Sequence, residues 1–600
     1  MSQTSSFHLK YFIPLSLLLH FPTFAIYASQ AMKADLGSVV DDALILRVAN
    51  KSNDSGVNPI STGTGTLSRK ILNKNMVNGA CVLTQSMLND SNTIYVIQND
   101  YILGSDITLP ANCLLEFSGG SISPKGNNDN IEGKNTGIIA GVTKIFDSKI
   151  KLSGTWNVPE SYPEWFGAKS DSSFDSAPAI QSCIKSFKRV FLSGTYRSSN
   201  TLYLSMGTEL VGKGLYISNI IFDKNVSIGI SQDPNTKTLR GVTLKDLVLS
   251  KEEKTQNSSG IRLYSASQIC LENVTISRFT YGYDLNSYYV STIRKCNASL
   301  CDVGFYFGKN DGNSTSTTME SCYALMCDTG YILKRLHYST LISCACDDSR
   351  IAYDFWYSNV SLISCGCETI KERILRLDSH SDTDPLLNKC GNIVNIKDFL
   401  AVQCEATVSP IQITAGTRMA DDRNIFSISG LKINKGKNNK IDYLIQYSGD
   451  TQLYLEKITI PTGDIPLFDN KRDGAPFNAY ACSNIFLEGN RYVTVKILDK
   501  VVRRHVGDNV FAYVNDSFIE CFWNGTKWVD TKGFSIGIHK GKSSSRPKSR
   551  IKGSSSQYIL ESNDIGYEYY DTTINKLIYV KSIDSKGIVV WVDAMGNVMP

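Results

Sequence analysis

The sequence predicts an all-β fold, a parallel β-helix or solenoid with a capping helix on its N-terminal side and small antiparallel β modules at its C-terminus. Three observations predict it. Similar segments recur at Leu244–Ser250, Leu271–Ser277, Ile293–Ser299, Met319–Leu325, Leu341–Asp347 and Leu362–Glu368, at intervals of 27, 22, 26, 22 and 21 residues. A second strand rides on the same period: Ile261, Tyr283, Phe305, Tyr331 and Tyr353 form one column, Leu263, Leu285, Phe307, Leu333 and Phe355 another, with Arg262, Asp284, Tyr306, Ile332 and Asp354 between them. Apolar residues at period two mean that one face is buried. The near-constant period is the third observation, since an antiparallel sandwich would place hairpin turns every ~8–12 residues.

A single coil cannot bury its own inner face, so stability must come from its neighbours and the ends need caps. Six hundred residues exceed one ordinary globular core and suit an elongated array. Later segments at Ile396–Phe399, Ile428–Leu431, Leu455–Ile458 and Leu487 continue the scheme. Ahead of it, Asp175 precedes Ile180, Cys183, Ile184 and Phe187 at helical spacing, with Pro178 in the first turn, so a capped helix is expected there.

Residues 1–31 run from a weakly basic start through the apolar Tyr11–Ile26 to the small residues Ala28 and Ala31. That order is a secretory signal, and it predicts a secreted, periplasmic or cell-surface protein. A membrane anchor is the competing reading. Pro14, His20 and Pro22 interrupt the run, which falls short of the roughly 20 apolar residues of a span. No membrane span is expected. Residues 531–560 hold seven of the basic residues behind the formal charge of +5 and no carboxylate. The remainder is near neutral, and nothing in it asks for nucleic acid.

Sixteen Cys in an exported chain would ordinarily suggest disulfides. Cys296, Cys322, Cys344 and Cys365 instead recur with the repeat, while Cys344/Cys346 and Cys365/Cys367 are i, i+2 pairs. We read them as buried small apolar residues. Disulfides between coils are one alternative. Zinc is the other, and it lacks the spacing and His partners of a zinc site; no metal ligands are assigned.

The run Tyr162–Ala168, then Asp171 and Asp175 before a helix containing Ala179, Ile180 and Gln181, then Phe191–Tyr196 and Leu210–Gly214, resembles the pectate lyase superfamily. It is most similar to the branch of rhamnogalacturonase/epimerase-like and tailspike-like proteins. The segment Asn92–Trp165, with Ile107–Gly120 and Gly154–Asn157, resembles exported β-helix proteins of Bacteroidetes, and Gly566–Lys576 with Trp591–Asp593 resembles a phage-tail-like C-terminal module. The resemblance implies a right-handed parallel β-helix that binds or acts on polysaccharide, with a terminal module for attachment or assembly; a homotrimer is compatible with it. The organisation expected is signal 1–31, partly disordered leader 32–91, N-terminal coils 92–165, main solenoid 166–495, β module 496–538, basic flexible linker 539–556 and C-terminal β module 557–600. Phe522–Asp530 carries an Asn524-Gly525 hairpin turn.

The polygalacturonase motifs are missing: there is no Gly-His-Gly, and Asp347-Asp348 lies in a corner. Stacking nevertheless aligns carboxylates, because equal offsets on adjacent and alternate coils lie about 5 and 10 Å apart, the separations used by glycosidases. Asp302 and Asp328 share one offset, two residues before Gly304 and Gly330, and with Asp284 they are the candidate catalytic residues. The competing reading is a corner Asp satisfying turn amides. Arg262, Tyr306, Asp354 and Trp356 are the candidate substrate-binding residues: Tyr and Trp to stack on sugar, Arg262 to hold a uronate carboxylate. Their competing reading is a solvated sheet face. The loop Arg376–Asp384 interrupts the period. No cofactor is required, although a lyase would want Ca²⁺ or another cation at the uronate. Two functions remain open: an exported enzyme, lyase or glycoside hydrolase, that works on an acidic glycan along the solenoid flank, and a non-catalytic tailspike-like or adhesin-like glycan binder.

Overall fold

The inner columns of the repeat are stacked in the computed structural model of the chain. Tyr283, Phe305, Tyr331 and Tyr353 pair in register across neighbouring parallel strands and are fully buried. Their rings lie face to face, with centroids 4.5, 4.9 and 4.8 Å apart. This is the spacing of hydrogen-bonded strands, so backbone pairing alone brings ring onto ring. The buried tyrosine hydroxyls each donate to a backbone carbonyl, Tyr283 to Val274 at 2.7 Å, Tyr331 to Cys322 at 2.9 Å and Tyr353 to Cys344 at 2.8 Å. Left without an acceptor, such a hydroxyl would cost about 1–3 kcal/mol.

The structure describes residues 67–600 apart from 127–128, 311, 379–391, 406–408, 415–423, 437–444, 449–450, 460–483, 488–489, 495–508, 515–516, 524–527, 531–538, 547, 550–558, 561–564, 566–567, 585–587 and 600. The expected signal sequence, the Asn524-Gly525 turn and most of the Arg376–Asp384 loop lie outside the described residues.

Each rung gives one strand to a ten-stranded parallel sheet. Its members are β1 (Leu202–Leu204), β2 (Ile228–Gln232), β3 (Ser259–Leu263), β4 (Tyr281–Leu285), β5 (Val303–Phe307), β6 (Thr329–Lys334), β7 (Ile351–Trp356), β8 (Arg373–Asp378), β9 (Ile411–Thr414) and β10 (Ile445–Ser448). The other strands form a long bent sheet, in which Leu244, Leu271, Ile293, Met319, Leu341, Leu362, Ile396, Ile428 and Leu455 stand in register. One core cluster runs from Leu72 to Leu455.

The bends are made by single residues in the left-handed region. Asp246, Asn273, Lys295, Ser321, Ser343, Ser364 and Asp398 stack in one column with φ between 51 and 57°, and Asn273 donates to Asp246 at 2.7 Å across two rungs. Left-handed backbone costs an L-residue roughly 1–2 kcal/mol, which the stacked core must outweigh at every turn. The residue after each bend points inward: Leu247, Val274, Cys296, Cys322, Cys344, Cys365 and Phe399 are all buried. The described cysteines are free thiols, and those of the ladder fill a position that neighbouring rungs give to Leu, Val or Phe.

Parallel coils precede the repeat as well. Ser68–Ile71 pairs with Thr93–Ile97, which pairs with Leu114–Phe117, and Ala80–Leu83 pairs with Tyr101–Leu103. The N-terminal stack therefore starts at Ser68 rather than Asn92, and residues 68–91 belong to it rather than to a leader. These strands are too short to announce a period. Helix α1 (Ala177–Ser186) buries Ala179, Ile180, Cys183 and Ile184 and packs on the Pro163–Phe166 turn and on β1. Ser176, not Asp175, holds the cap position; the Asp175 carboxylate accepts from Ala177 N at 3.1 Å and ties the helix start to Ser199.

At the C-terminal end, Asn509–Val514, Ser517–Trp523 and Trp528–Asp530 form antiparallel pairs, as do Glu568–Asp571, Lys576–Ile583 and Val589–Asp593. His539–Gly541 pairs with Glu568–Asp571, and Arg546 donates to the buried Asp571 at 2.6 Å. Residues 539–546 are thus part of the last module and not of a linker, because Asp571 needs the guanidinium they carry. No helix among the described residues is long and apolar enough to cross a membrane.

The glycine column of the repeat is a close-approach column. A Cβ at Gly282 or Gly304 would stand 2.6 Å from the carbonyl oxygen of the next rung's glycine. Gly304→Val is expected to force the rungs apart and lower stability by about 1–3 kcal/mol, and Tyr331→Ala by about 3–5 kcal/mol; denaturant unfolding followed by far-UV circular dichroism measures both.

Candidate functional site

Along β4 the inward Tyr283 and Leu285 leave Asp284 on the outer side of the solenoid wall. The sequence column holds: Arg262, Asp284, Tyr306, Ile332 and Asp354 are in register on β3 to β7, and Arg376, Gln412 and Gln446 extend it over β8 to β10. Asp284 is nevertheless fully buried, because its neighbours close over it. Its Oδ2 accepts from Arg262 Nε at 2.7 Å and Ser259 Oγ at 3.0 Å, and its Oδ1 from Asn286 Nδ2 at 2.9 Å. Arg262 Nη2 also donates to Ser259 Oγ at 2.7 Å, and Lys309 Nζ stands 3.9 Å from Oδ2. A carboxylate so occupied is a poor nucleophile or base. Asp284 instead fixes the two cations.

Lys309 arrives from the loop after β5. Gly308 opens that loop with φ 69°, and a Cβ there would lie 2.4 Å from the Lys334 carbonyl oxygen; glycine alone fits. Asn286 Oδ1 then accepts from Asn310 N at 2.8 Å, tying the loop to the Asp284 cluster. The Lys309 ammonium is 3.5 Å from the centroid of the Tyr281 ring, whose other neighbour is Tyr306 at 5.8 Å. Burial pushes the Lys309 amine below its ordinary value, with the Asp284 charge opposing and Arg262 assisting. Burial also pushes the Tyr281 phenol up, helped by the carboxylates of Asp284 and Asp302. Arg262, Lys309, Tyr281 and Tyr306 thus form a half-buried cationic and aromatic patch.

Asp302 and Asp328 do sit on adjacent rungs, as their shared offset requires, and Asp302 O accepts from Thr329 N at 2.8 Å. Both lie at the corner before the sheet and are about half exposed. Asp302 is paired with Lys254. Asp328 accepts from Arg350 Nε at 2.7 Å and Nη2 at 2.9 Å, which holds its carboxyl below the usual range against the opposing effect of burial. This is the ion-paired corner arrangement. Asp354, also buried, is gripped by Arg376 through Nε at 2.9 Å and through Nη2. Two residues on, the partly exposed Trp356 has an indole N–H with no hydrogen-bond partner. Among the described residues no three His, Cys, Asp or Glu side chains converge as cation ligands.

Lys309 and Tyr281 were not among the sequence candidates. Tyr281 precedes the glycine of its strand and falls outside the alternating columns, and Lys309 lies in a corner loop whose length varies from rung to rung. Gly308, directly after the strand, was the available signal.

No family model matches the sequence, and no curated protein matches it. Solved structures similar to the chain include the gp42 tailspike of Acinetobacter phage vb_AbaP_AS12, at 15% identity and TM-score 0.43 over 73% of this chain and 80% of that one. The A-module of the Azotobacter vinelandii mannuronan C-5 epimerase AlgE4 is similar at 14% identity and TM-score 0.34, over 53% of this chain and 98% of that one. DFA-IIIase from Arthrobacter chlorophenolicus A6, in complex with DFA-III, is similar at 8% identity and TM-score 0.36, over 53% and 90%.

The two kinds of aspartate differ in what their loss does. Asp284→Ala leaves Arg262 beside an emptied buried site and is expected to cost about 3–5 kcal/mol. Asp328→Asn, at a half-exposed pair, is expected to cost less than about 1 kcal/mol at neutral pH. Because the folded-state value of Asp328 is lowered, its contribution is present above the ordinary carboxylate range and disappears as pH falls through the lowered value. Thermal melts of both variants at pH 7 and in acid check this.

Proposed function

We propose that the outer face of the ten-stranded sheet binds an acidic polysaccharide and that Lys309 and Tyr281 act on it by proton transfer beside a uronate carboxylate. The observation that carries this reading is the Lys309 ammonium held against the Tyr281 ring, next to the Arg262–Asp284 pair. Arg262 neutralises the substrate carboxylate, which acidifies the adjacent C–H. The desolvated Lys309 amine, in its neutral form, takes that proton. The electron pair either returns to carbon with a proton from the Tyr281 phenol, inverting it, or forms a C=C bond as the neighbouring glycosidic oxygen leaves and takes that phenol proton instead. Tyr306 stacks on the ring. The cations are the chain's own, so activity should survive EDTA; loss with chelator would point to Ca²⁺ instead. We propose further that the protein acts outside the cytoplasm, exported by its N-terminal segment.

A second reading, a tailspike-like or adhesin-like binder without catalysis, is supported by the ion-paired state of Asp284, Asp302, Asp328 and Asp354. That state offers no unpaired carboxylate pair for hydrolysis. Uronate-containing and neutral polysaccharides are incubated with the protein while unsaturated products, reducing ends and C–H exchange in D₂O are followed. The proposal expects turnover of a uronate polymer that rises with pH through the lowered Lys309 value and falls at least a hundredfold in Lys309→Met. Binding alone predicts the reverse dependence: affinity that falls as the ammonium loses its charge, with no product from any polymer.

A further inference from the structure

The outer column does not end at the Lys309 patch. Five rung steps separate Arg262 from Arg376, about 24 Å at the spacing of paired strands. Around Arg376 lies a second set of planar polar groups on the same face. Arg376 grips Asp354. Arg373 donates to Gln412 Oε1 at 3.3 Å and to Gln446 Oε1 at 2.9 Å, so one guanidinium ties together side chains from three rungs. Trp356 stands beside them with its partly exposed indole. Between Tyr306, the last column residue of the first set, and Asp354 the column carries only Ile332, so no charged side chain of the column interrupts it.

We infer that Arg376, held by the buried Asp354 behind it, forms a second glycan subsite with Trp356, Gln412 and Gln446, so that the face engages one chain at two places and selects for its length. The inference rests on reading this face as a glycan track. The chemistry of the two sets differs. The first offers cations and phenols, suited to a carboxylate. The second offers guanidinium and amide groups in fixed orientation, which can bind vicinal hydroxyls in pairs, and an indole for a sugar ring. A pyranose unit is about as long as a rung, so rungs count sugar units. A fragment of two or three units cannot reach from Arg262 to Arg376, whereas about six units span both guanidinium groups. Once both are engaged, the second contact is intramolecular and its contribution multiplies the first.

Calorimetric or fluorescence titration with oligogalacturonate and oligomannuronate ladders of two to eight units tests this. Affinity is expected to rise at least tenfold between four and six units in one ladder, and Trp356→Ala and Gln446→Ala are expected to flatten that rise, with melting temperatures confirming that both variants fold. Binding that is already maximal at three units, or a rise untouched by both substitutions, overturns the second subsite while leaving the first standing. Failure of both ladders to bind at any length, with the fold intact, removes the acidic-glycan reading and this inference with it.

Discussion

The structure depends on one distance. Paired strands lie about 4.8 Å apart, aromatic rings and aliphatic groups stack at nearly that separation, and the chain exploits the coincidence by placing the same kind of residue at the same offset in each rung. Tyr283, Phe305, Tyr331 and Tyr353 show it most directly, since their ring separations follow the backbone to within a few tenths of an ångström. Everything else is accommodated to that spacing. The bends are confined to single left-handed residues so that the strands on either side stay in register, and side chains are absent at Gly282 and Gly304, where one rung's backbone would otherwise strike the next.

The same regularity governs the outer face. A residue on one rung has its closest partners on the rungs above and below, so a charge on the wall meets its counter-charge along the solenoid axis. Arg262 with Asp284 and Arg376 with Asp354 are such axial pairs. A carboxylate that would be solvated on an isolated strand is thereby enclosed, and its role changes from reagent to support. What is left to meet a ligand is the cation that the carboxylate holds and the aromatic rings alongside.

The fold was legible because it is repeated. Inward columns, glycine column and cysteine ladder each occur four or more times, and a signal seen once per rung is hard to mistake. Capping and boundaries occur once, and there the reading slipped: Ser176 displaced Asp175 at the helix cap, Ser68 displaced Asn92 at the start of the coils, and residues 539–546 joined the last module. The site was legible in part. Register placed Arg262, Asp284, Tyr306 and Asp354 in one line, yet periodicity carries no information on which outward residues are covered. Asp284 is covered because Lys309 folds back over it from a loop, Asp302 is neutralised by Lys254 from two rungs away, and Asp328 by Arg350 from the adjacent rung. Those partners are set by corner geometry, which a column of letters does not express.

Because each rung meets its neighbours through identical parallel pairing, a rung is also a unit of inheritance. A stretch such as the 22 residues from Leu271 to Thr292 could be copied or dropped in the gene, and the flanking rungs would close on one another with their hydrophobic columns still aligned. The ends of the solenoid would be untouched while everything on its wall moved by one step. Variation in such a lineage would be expected in whole steps of length along the axis, with the corners free to diverge and the columns held nearly fixed.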